Sequence, residues 1–171
     1  MLGEPVDALF LSEFDKKWRE AYYLEKGYLK KILSRFSYYI QHIGSTCVGG
    51  YLLSRPIVDI AISAFNIYDQ VAIKDTLNRY TYTYVPELST PDCFYFTRNI
   101  NSKTYFTVRV NIYKSPDWYK MQAIQNALFA SKELRIEFTS IKRELLDTVN
   151  NDKMAYAKEI RKFHNRIIKK M

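Results

Sequence analysis

The stretch that decides the fold is His42-Ile43-Gly44-Ser45-Thr46, followed by Arg55-Pro56-Ile57-Val58-Asp59-Ile60. A short polar turn containing Gly-Ser lies between two apolar runs, and the second run carries one carboxylate. Glycine lets the backbone approach a ligand closely, and the N–H groups of such a turn can surround a phosphate. A carboxylate in an apolar strand is costly unless it is paired, hydrogen-bonded or close to a metal. The two runs indicate a phosphate site with part of a metal site, because Ala61 stands where a second acid would help.

The composition is that of a globular protein. Hydrophobic residues make up 47% and aromatic residues 16% of the 171 residues, which is enough for a sizeable core and argues against disorder. The apolar run Ile57 to Phe65 is interrupted by Asp59 and Ser63, so no membrane-spanning helix and no membrane partner are expected. The two cysteines lack metal-ligand spacing, and the N-terminus does not resemble a secretory signal. We therefore expect a cytoplasmic protein with reduced thiols.

The net charge of +8 and the pI of about 9.3 favour anionic partners such as nucleotides or nucleic acid. The alternative is a solvated, lysine-rich surface. Part of the excess lies near the C-terminus, at Lys153, Lys158, Arg161, Lys162, Arg166, Lys169 and Lys170. This segment is not interleaved with aromatic residues as a single-strand binding groove would be, so nucleic acid is a possible partner but not the favoured one.

Hydrophobic periodicity predicts an α+β fold. The first predicted helix is long and amphipathic and spans Leu11 to Leu33, and a connecting helix follows at Tyr68 to Leu77. The predicted strands are Tyr38 to Ile43, Ile57 to Ser63, Thr81 to Val85, and a hairpin of Cys93 to Arg98 and Thr104 to Tyr113. Ser115-Pro116-Asp117 is typical of a helix start, and three helices follow it. We expect a mixed sheet covered on one face.

The motif residues resemble the signature of the GrpB family, also called UPF0157, which is largely uncharacterised and has a nucleotidyltransferase-like fold. The typical run of that family is His-Ile-Gly-Ser-Thr, then Val-Pro-Gly, Lys-Pro and an Ile-Asp-Ile strand. The matching positions here are His42 to Thr46, Val48 to Gly50, Arg55-Pro56 and Val58 to Ile60. The resemblance extends roughly from Phe14 to Ile168.

The resemblance implies a single domain over residues 1–171, with a nucleotidyltransferase-like core at about 8–114 and a helical C-terminal part at 115–171. It also implies a role in nucleotide or coenzyme A metabolism, since some family members are fused to dephospho-coenzyme A kinase. Several positions depart from the family pattern. Gly49 replaces a proline, Ala61 stands where active nucleotidyltransferases have a metal-binding acid, and Arg109 and Asn111 replace paired histidines.

Each candidate site residue has a functional and a structural interpretation. Ser45, with Thr46 and the amides at Gly44, binds a phosphate or serves as a turn hydroxyl. Asp59 is the candidate catalytic acid and Mg²⁺ ligand, or it accepts hydrogen bonds from the turn or pairs with Arg109. The remaining candidate ligand-binding residues are His42, Arg55, Arg98, Arg109 and Asn111, and we expect the last three to line the same cleft because the hairpin should neighbour the Asp59 strand. Their structural alternatives are a hydrogen-bonding histidine, a surface arginine and cross-strand pairs.

The sequence thus predicts a GrpB-like protein that binds a nucleotide or another phosphorylated small molecule. If it is an enzyme, the implied reaction is Mg²⁺-dependent nucleotidyl transfer to a hydroxyl or amine. The incomplete set of carboxylates leaves enzymatic activity open. The alternatives are a non-catalytic ligand-binding protein and a nucleic-acid-binding protein on the same fold.

Overall fold

The computed structural model describes residues 1–169, which form a mixed sheet and six α-helices. The helices are α1 (Lys17–Ile32), α2 (Ser45–Val48), α3 (Ile67–Asn78), α4 (Pro116–Ala130), α5 (Lys132–Thr148) and α6 (Lys153–Lys169). The strands are β1 (Glu4–Pro5), β2 (Tyr38–Ile43), β3 (Val58–Ala64), β4 (Thr83–Tyr84), β5 (Cys93–Ile100) and β6 (Lys103–Ile112). The α+β class, the mixed sheet, the N-terminal helix and the three C-terminal helices are as the sequence predicts. None of the helices within residues 1–169 is long and apolar enough to cross a membrane.

The sheet is organised around β3 and β6, which run parallel to each other at its centre. The strand order is β2-β3-β6-β5-β4, and β1 pairs with β6 outside this path. All the other pairings are antiparallel. Asp59 of β3 lies beside Thr107 of β6, and Ala61 lies beside Arg109. This register places the polar residues of two central strands on one face.

The main core lies on the other face of the sheet, beneath α1 and α3. Trp18 and Leu29 of α1 and Ile73 of α3 are fully buried there, together with Ile60 and Val108 of the central strands. The alternation of apolar residues along β3 predicts this face correctly. Because the two helices pack on it, the apolar face of the sheet is removed from water.

A second apolar cluster joins the three C-terminal helices. Phe138 of α5 stacks on Phe163 of α6 with ring centroids 4.3 Å apart, and both pack with Leu128 of α4. Leu52, in the loop before β3, completes the cluster. Thr139 of α5 fixes the same loop, because its hydroxyl accepts from the N–H of Leu53 and donates to the carbonyl of Tyr51. The loop after the Gly-Ser turn is therefore anchored to the helical part.

Three expectations need correction. The first helix begins at Lys17 instead of Leu11, because Ser12 exchanges two backbone hydrogen bonds with Ser54 and is held extended. The hairpin turn is only Asn101-Ser102, both at positive φ, so β5 and β6 are longer than predicted. The sheet is covered on both faces: Ala61, on the polar face of β3, is fully buried.

The start of α4 is as predicted. The Oγ atom of Ser115 accepts a hydrogen bond from the backbone N–H of Trp118 at 3.2 Å, and Pro116 occupies the first helical position. Asp117 follows in the first turn, where the helix dipole favours an acid. This cap directs the chain from β6 into the helices that cover the polar face of the sheet.

Candidate functional site

The candidate site lies in the cleft between the polar face of the sheet and the C-terminal helices. Asp59, Thr107, Arg109 and Tyr95 contribute neighbouring side chains from β3, β6 and β5. Lys142 of α5 is close enough to Asp59 to interact with it electrostatically. Because these side chains come from β3, β5, β6 and α5, only the complete fold brings them together.

The Gly44 turn closes one end of the cleft. Gly44 has φ +75°, and a Cβ atom there would overlap Oδ2 of Asp59, so only glycine fits. The Gly44 N–H donates to Oε1 of Gln125 at 2.9 Å, and Nε2 of the same residue donates to Sγ of Cys47 at 2.6 Å. Burial, reinforced by the charge of Asp59, raises the pKa of Cys47 to about 12, so its thiol stays protonated. Helix α4 therefore supports the turn directly.

The N–H of Gly44 is thus already bonded and does not contribute to a phosphate cradle. The backbone N–H groups of Ser45 and Thr46 donate to no acceptor within residues 1–169. Ser45 is half-buried, whereas Thr46 is buried with its hydroxyl beside a histidine. The donors that remain available at this turn are the Ser45 hydroxyl and these two amides.

His42 lies next to the turn in a packed position. Its Nε2 atom is 3.0 Å from Oγ1 of Thr46, and its ring stacks on Tyr22 with centroids 4.8 Å apart. Burial, with a contribution from the charge of Arg19, lowers the pKa of His42 to about 4. The imidazole is therefore neutral near pH 7, and its contacts support the structural interpretation of this residue.

Asp59 and Arg109 carry opposite charges on adjacent strands. Asp59 accepts a hydrogen bond from the Thr107 hydroxyl. Burial raises the pKa of Asp59, although the Thr107 hydrogen bond and the charge of Arg109 oppose that effect. Burial acts to lower the pKa of Arg109, but the charges of Tyr95, Cys93 and Asp59 outweigh it and the net shift is upward. Arg109 forms no ion pair with any carboxylate of residues 1–169.

Lys142 and His164 belong to the cleft although the motif does not include them. Lys142 is 3% exposed, and its Nζ atom donates to the Leu53 carbonyl at 2.9 Å. Burial lowers the pKa of Lys142 to about 7, an effect that the charge of Asp59 opposes. Burial also lowers the pKa of His164 to about 3, and the charges of Arg109 and Lys142 add to this effect. In the sequence, Lys142 could have been found from its position within the apolar stripe of α5, between Phe138 and Leu145.

Arg55 is neither free to bind phosphate nor a surface arginine. Its Nε atom lies 2.9 and 3.1 Å from the two carboxylate oxygens of Glu4, a residue that is fully buried. Lys153 of α6 donates to the same carboxylate at 3.0 Å. The Arg55 guanidinium also lies 5.5 Å from the centre of the Tyr156 ring. The Glu4 carboxylate thus holds Arg55 in a structural network.

The structure places Arg98 away from the cleft, so the prediction that it lines the same cleft as Arg109 is wrong. Arg98 lies opposite Phe106, a core residue, whereas Arg109 lies opposite Tyr95. Its guanidinium pairs with the carboxylate of Glu25 on α1. A β-bulge follows directly after Arg98, where the register between β5 and β6 shifts.

Asn111 lies on the polar face but is saturated with protein partners. It is fully buried, accepts from the Ser63 hydroxyl at 2.7 Å and donates to Oδ2 of Asp117 at 3.2 Å. Asn111 is four positions beyond Thr107 on β6, about 13 Å at the usual rise of a strand. Asp117 is therefore beside the far end of β6 and not beside Asp59.

The residues present do not fit a two-metal centre. Within residues 1–169, no group of three or more His, Cys, Asp or Glu side chains could hold a metal ion. Asp59 is the acid of the cleft, one of its oxygens already accepts from Thr107, and Ala61 stands two positions on. A divalent ion held between two carboxylates would need a second acid close to Asp59.

Comparison with solved structures defines the class of the fold as nucleotidyltransferase-like. The chain superposes on Cid1 in complex with its short product ApU with a TM-score of 0.54, at 12% identity over 79% of this chain and 42% of Cid1. The Cid1 poly(U) polymerase with MgGTP bound gives a TM-score of 0.50, at 12% identity over 72% and 39% of the two chains. The chain therefore spans less than half the length of these polymerases.

The chain belongs to the GrpB family, because the family model described as GrpB protein matches residues 8–170. The crystal structure of the conserved protein GrpB from Enterococcus faecalis superposes with a TM-score of 0.76, at 22% identity over 94% of this chain and 98% of that one. The glutamate-rich protein GrpB of Alkalihalophilus pseudofirmus is 23% identical over the full length of both chains. A UPF0157 protein of Halalkalibacterium halodurans is 24% identical over 91% of this chain and 69% of that protein.

Proposed function

We propose that this GrpB-family protein binds a nucleotide or another phosphorylated small molecule in the cleft at the Gly44 turn. The observation that carries the proposal is the pair of cationic side chains, Arg109 and Lys142, neither of which forms an ion pair within residues 1–169. A cation that is removed from water without a direct ion-pair partner is costly, and Asp59 is close enough to act on both side chains only through its charge. A phosphate group would supply further negative charge.

Each donor of the cleft has a role in this proposal. The Ser45 hydroxyl and the amides of Ser45 and Thr46 would donate to phosphate oxygens at the turn. Arg109 would contact the phosphate with its planar guanidinium, which suits two oxygens at once. In its protonated form, Lys142 uses one of its ammonium protons on the Leu53 carbonyl, so two remain for a ligand.

A nucleotide is the favoured form of this ligand because of the fold. The Cid1 structures to which the chain is similar contain ApU and MgGTP. We extend only the ligand class from those proteins to this chain. Tyr95, beside Arg109 on the polar face, offers an aromatic ring and a hydroxyl for the remainder of the molecule.

Magnesium-dependent nucleotidyl transfer is the further expectation from the family resemblance. Asp59 is its candidate metal ligand and catalytic acid, and residues 1–169 contain no group of three or more His, Cys, Asp or Glu side chains that could hold a metal ion, which does not suit a two-metal reaction. The binding proposal requires no metal. Comparing binding with and without Mg²⁺, and assaying for released pyrophosphate, separates simple binding from transfer.

Isothermal titration with ATP, CTP, GTP and coenzyme A tests the proposal. We expect at least one of them to bind, and we expect Ser45→Ala and Arg109→Met to weaken that binding about tenfold or more, the usual effect of losing a charge-assisted contact. Arg79→Met, at an exposed position directly after the last residue of α3, is the matched control and should bind normally. Absence of binding by all four compounds, with no effect of Ser45→Ala, would contradict the proposal.

A further inference from the structure

Five aromatic side chains form a continuous surface at the end of the sheet opposite the Gly44 turn. We define this aromatic strip as Tyr39, Phe65, Tyr113, Trp118 and Tyr119. The ring centroid of Tyr113 lies 6.1 Å from Tyr39, 5.4 Å from Phe65 and 5.0 Å from Trp118, and that of Tyr119 lies 5.1 Å from Trp118. Tyr39, Phe65 and Tyr119 are 49%, 54% and 55% exposed. Contiguous exposed rings of this kind indicate a binding surface.

The aromatic strip is separate from the proposed nucleotide site. Tyr39 precedes Ile40 at the start of β2, whereas the Gly44 turn follows the end of that strand. Tyr113, directly after the end of β6, is six positions beyond Thr107, which is about 20 Å at the usual rise of a strand. A ligand on the strip therefore contacts different side chains from a phosphate at the turn.

Lysines surround the aromatic strip. The Nζ atom of Lys114 lies 5.4 Å from the centre of the Tyr113 ring, and Lys120 is exposed one residue beyond Tyr119. Lys30 of α1 and Phe65 line a common groove that continues from the strip. The nearby carboxylate of Asp117 accepts a hydrogen bond from Asn111. With a net charge of +8, the protein presents this surface to polyanions.

Two buried donors lie beside the rings. The Nε1 atom of Trp118 and the Nε2 atom of Gln122 are removed from water and have no hydrogen-bond acceptor within the described part of the chain. The two residues are four positions apart on α4 and so occupy the same helix face. Neither atom is accessible to a surface ligand in this structure, so the exposed rings and the lysines are the groups that a ligand can contact.

We infer that the aromatic strip binds single-stranded nucleic acid. Bases would stack on the exposed rings of Tyr39, Phe65 and Tyr119, since every base offers a π-face. The three lysines would contact the phosphates. This combination of exposed rings and cations suits nucleic acid better than an apolar protein surface, which offers no phosphates.

Fluorescence anisotropy and tryptophan quenching test the inference. Labelled oligouridylate and oligodeoxythymidylate of about ten nucleotides, within the usual site sizes, are titrated at about 50 and 200 mM salt. We expect binding that weakens as salt rises, together with quenching of tryptophan emission. Trp18 is fully buried and its indole donates to the Met1 carbonyl, so Trp118→Phe should abolish the quenching. If neither oligonucleotide binds at the lower salt concentration, the inference is overturned.

A matched pair of substitutions locates the binding surface. Tyr119→Ala should weaken oligonucleotide binding about tenfold, the usual effect of losing one stacking ring. Tyr23→Ala is the control, because Tyr23 is also an exposed helical tyrosine, at 63% exposure on α1. If the two substitutions change the affinity for the oligonucleotide equally, the aromatic strip is not the binding surface.

Two further measurements complete the test. Ser45→Ala should leave oligonucleotide binding unchanged, so that a failure of the nucleotide proposal is distinguishable from a failure of this one. Sedimentation velocity of the protein alone should show a monomer at all concentrations used. A dimer that Tyr119→Ala dissociates would mean that a second copy of the chain covers the strip, and the inference would be rejected.

Discussion

Gly44 packs directly against Asp59, so that no side chain fits between the turn and the carboxylate. A Cβ atom at position 44 would overlap Oδ2 of Asp59, and the φ of +75° lies in the region that glycine tolerates best. The contact determines how close the turn amides approach the acid. It also explains why the Gly-Ser pair and the distant aspartate form one motif in the sequence.

Gly44→Ala should therefore disturb both stability and ligand binding. The overlap and the left-handed backbone together should cost about 1–3 kcal/mol of unfolding free energy. Because the turn would move away from Asp59, nucleotide affinity should fall below detection by calorimetry. Urea denaturation and titration calorimetry measure the two effects.

Gly27→Ala is the matched control for that substitution. Gly27 lies in the interior of α1, and a Cβ atom there would meet no atom within 4 Å. Alanine should stabilise the helix by about 0.5–1 kcal/mol and leave nucleotide binding unchanged. A Gly44→Ala protein as stable as Gly27→Ala would show that the turn is free to move.

Arg109 and Arg98 should respond in opposite ways to replacement by methionine. Arg109→Met should weaken phosphate binding with little loss of stability, because this guanidinium has no ion-pair partner in residues 1–169. Arg98→Met leaves the carboxylate of Glu25, which is 4% exposed, without its cation. That loss should cost about 3–5 kcal/mol while nucleotide affinity persists. Thermal unfolding and calorimetry measure the two effects. Equal losses of stability and equal losses of nucleotide affinity in both variants would contradict these assignments.

Lys142 should make stability depend on pH in a predictable direction. Its pKa is lowered to about 7 in the folded protein from its usual value of 10.5, so above pH 7 the unfolded chain holds a proton that the folded one has lost. Unfolding free energy should therefore rise with pH, by at most about 1.4 kcal/mol per unit from this group.

Urea denaturation at several pH values between 7 and 8.5 measures this contribution. Lys142→Met should show a smaller rise than the unmodified protein, whereas Lys158→Met, at an exposed position on α6, should show the same rise. If the unfolding free energy rises equally with pH in all three proteins, Lys142 keeps its proton in the cleft.

The two histidines should remain neutral well below their usual range. Burial lowers the pKa of His42 to about 4 and that of His164 to about 3. The unfolded chain binds protons from about pH 6.5 downward, so each histidine should reduce stability as the pH falls toward its folded pKa. The NMR signals of both imidazoles should not shift between pH 7.5 and about 5.5, and a midpoint near 6.5 for either ring would contradict this prediction.

Local patterns predict much of the fold. The short apolar and aromatic run before the Gly-Ser turn defines β2 at Tyr38–Ile43, and the Ser115 cap defines the start of α4, because these signals depend on near neighbours. The face of Arg98 depends instead on the register of the hairpin. A two-residue turn and a bulge set that register, and a shift of one residue reverses the face.

The candidate site is less predictable because its parts are distant in sequence. The Gly44 turn and Asp59 are recognisable in the motif, and Arg109 follows from alternation along β6. Lys142 reaches the cleft only because α5 folds back over the polar face of the sheet. Arg55 has the right charge for a phosphate, but no local pattern shows that Glu4 binds it.

The Glu4 carboxylate also has a consequence for how the protein reaches its folded state. It binds Arg55 and, across 149 residues of sequence, Lys153 of α6. A contact of such large sequence separation carries a high loop-closure entropy and slows folding. During synthesis, the burial of the Glu4 carboxylate is fully compensated only after α6, which carries Lys153, has been made. The order of assembly therefore places the short strand β1 among the last elements to settle.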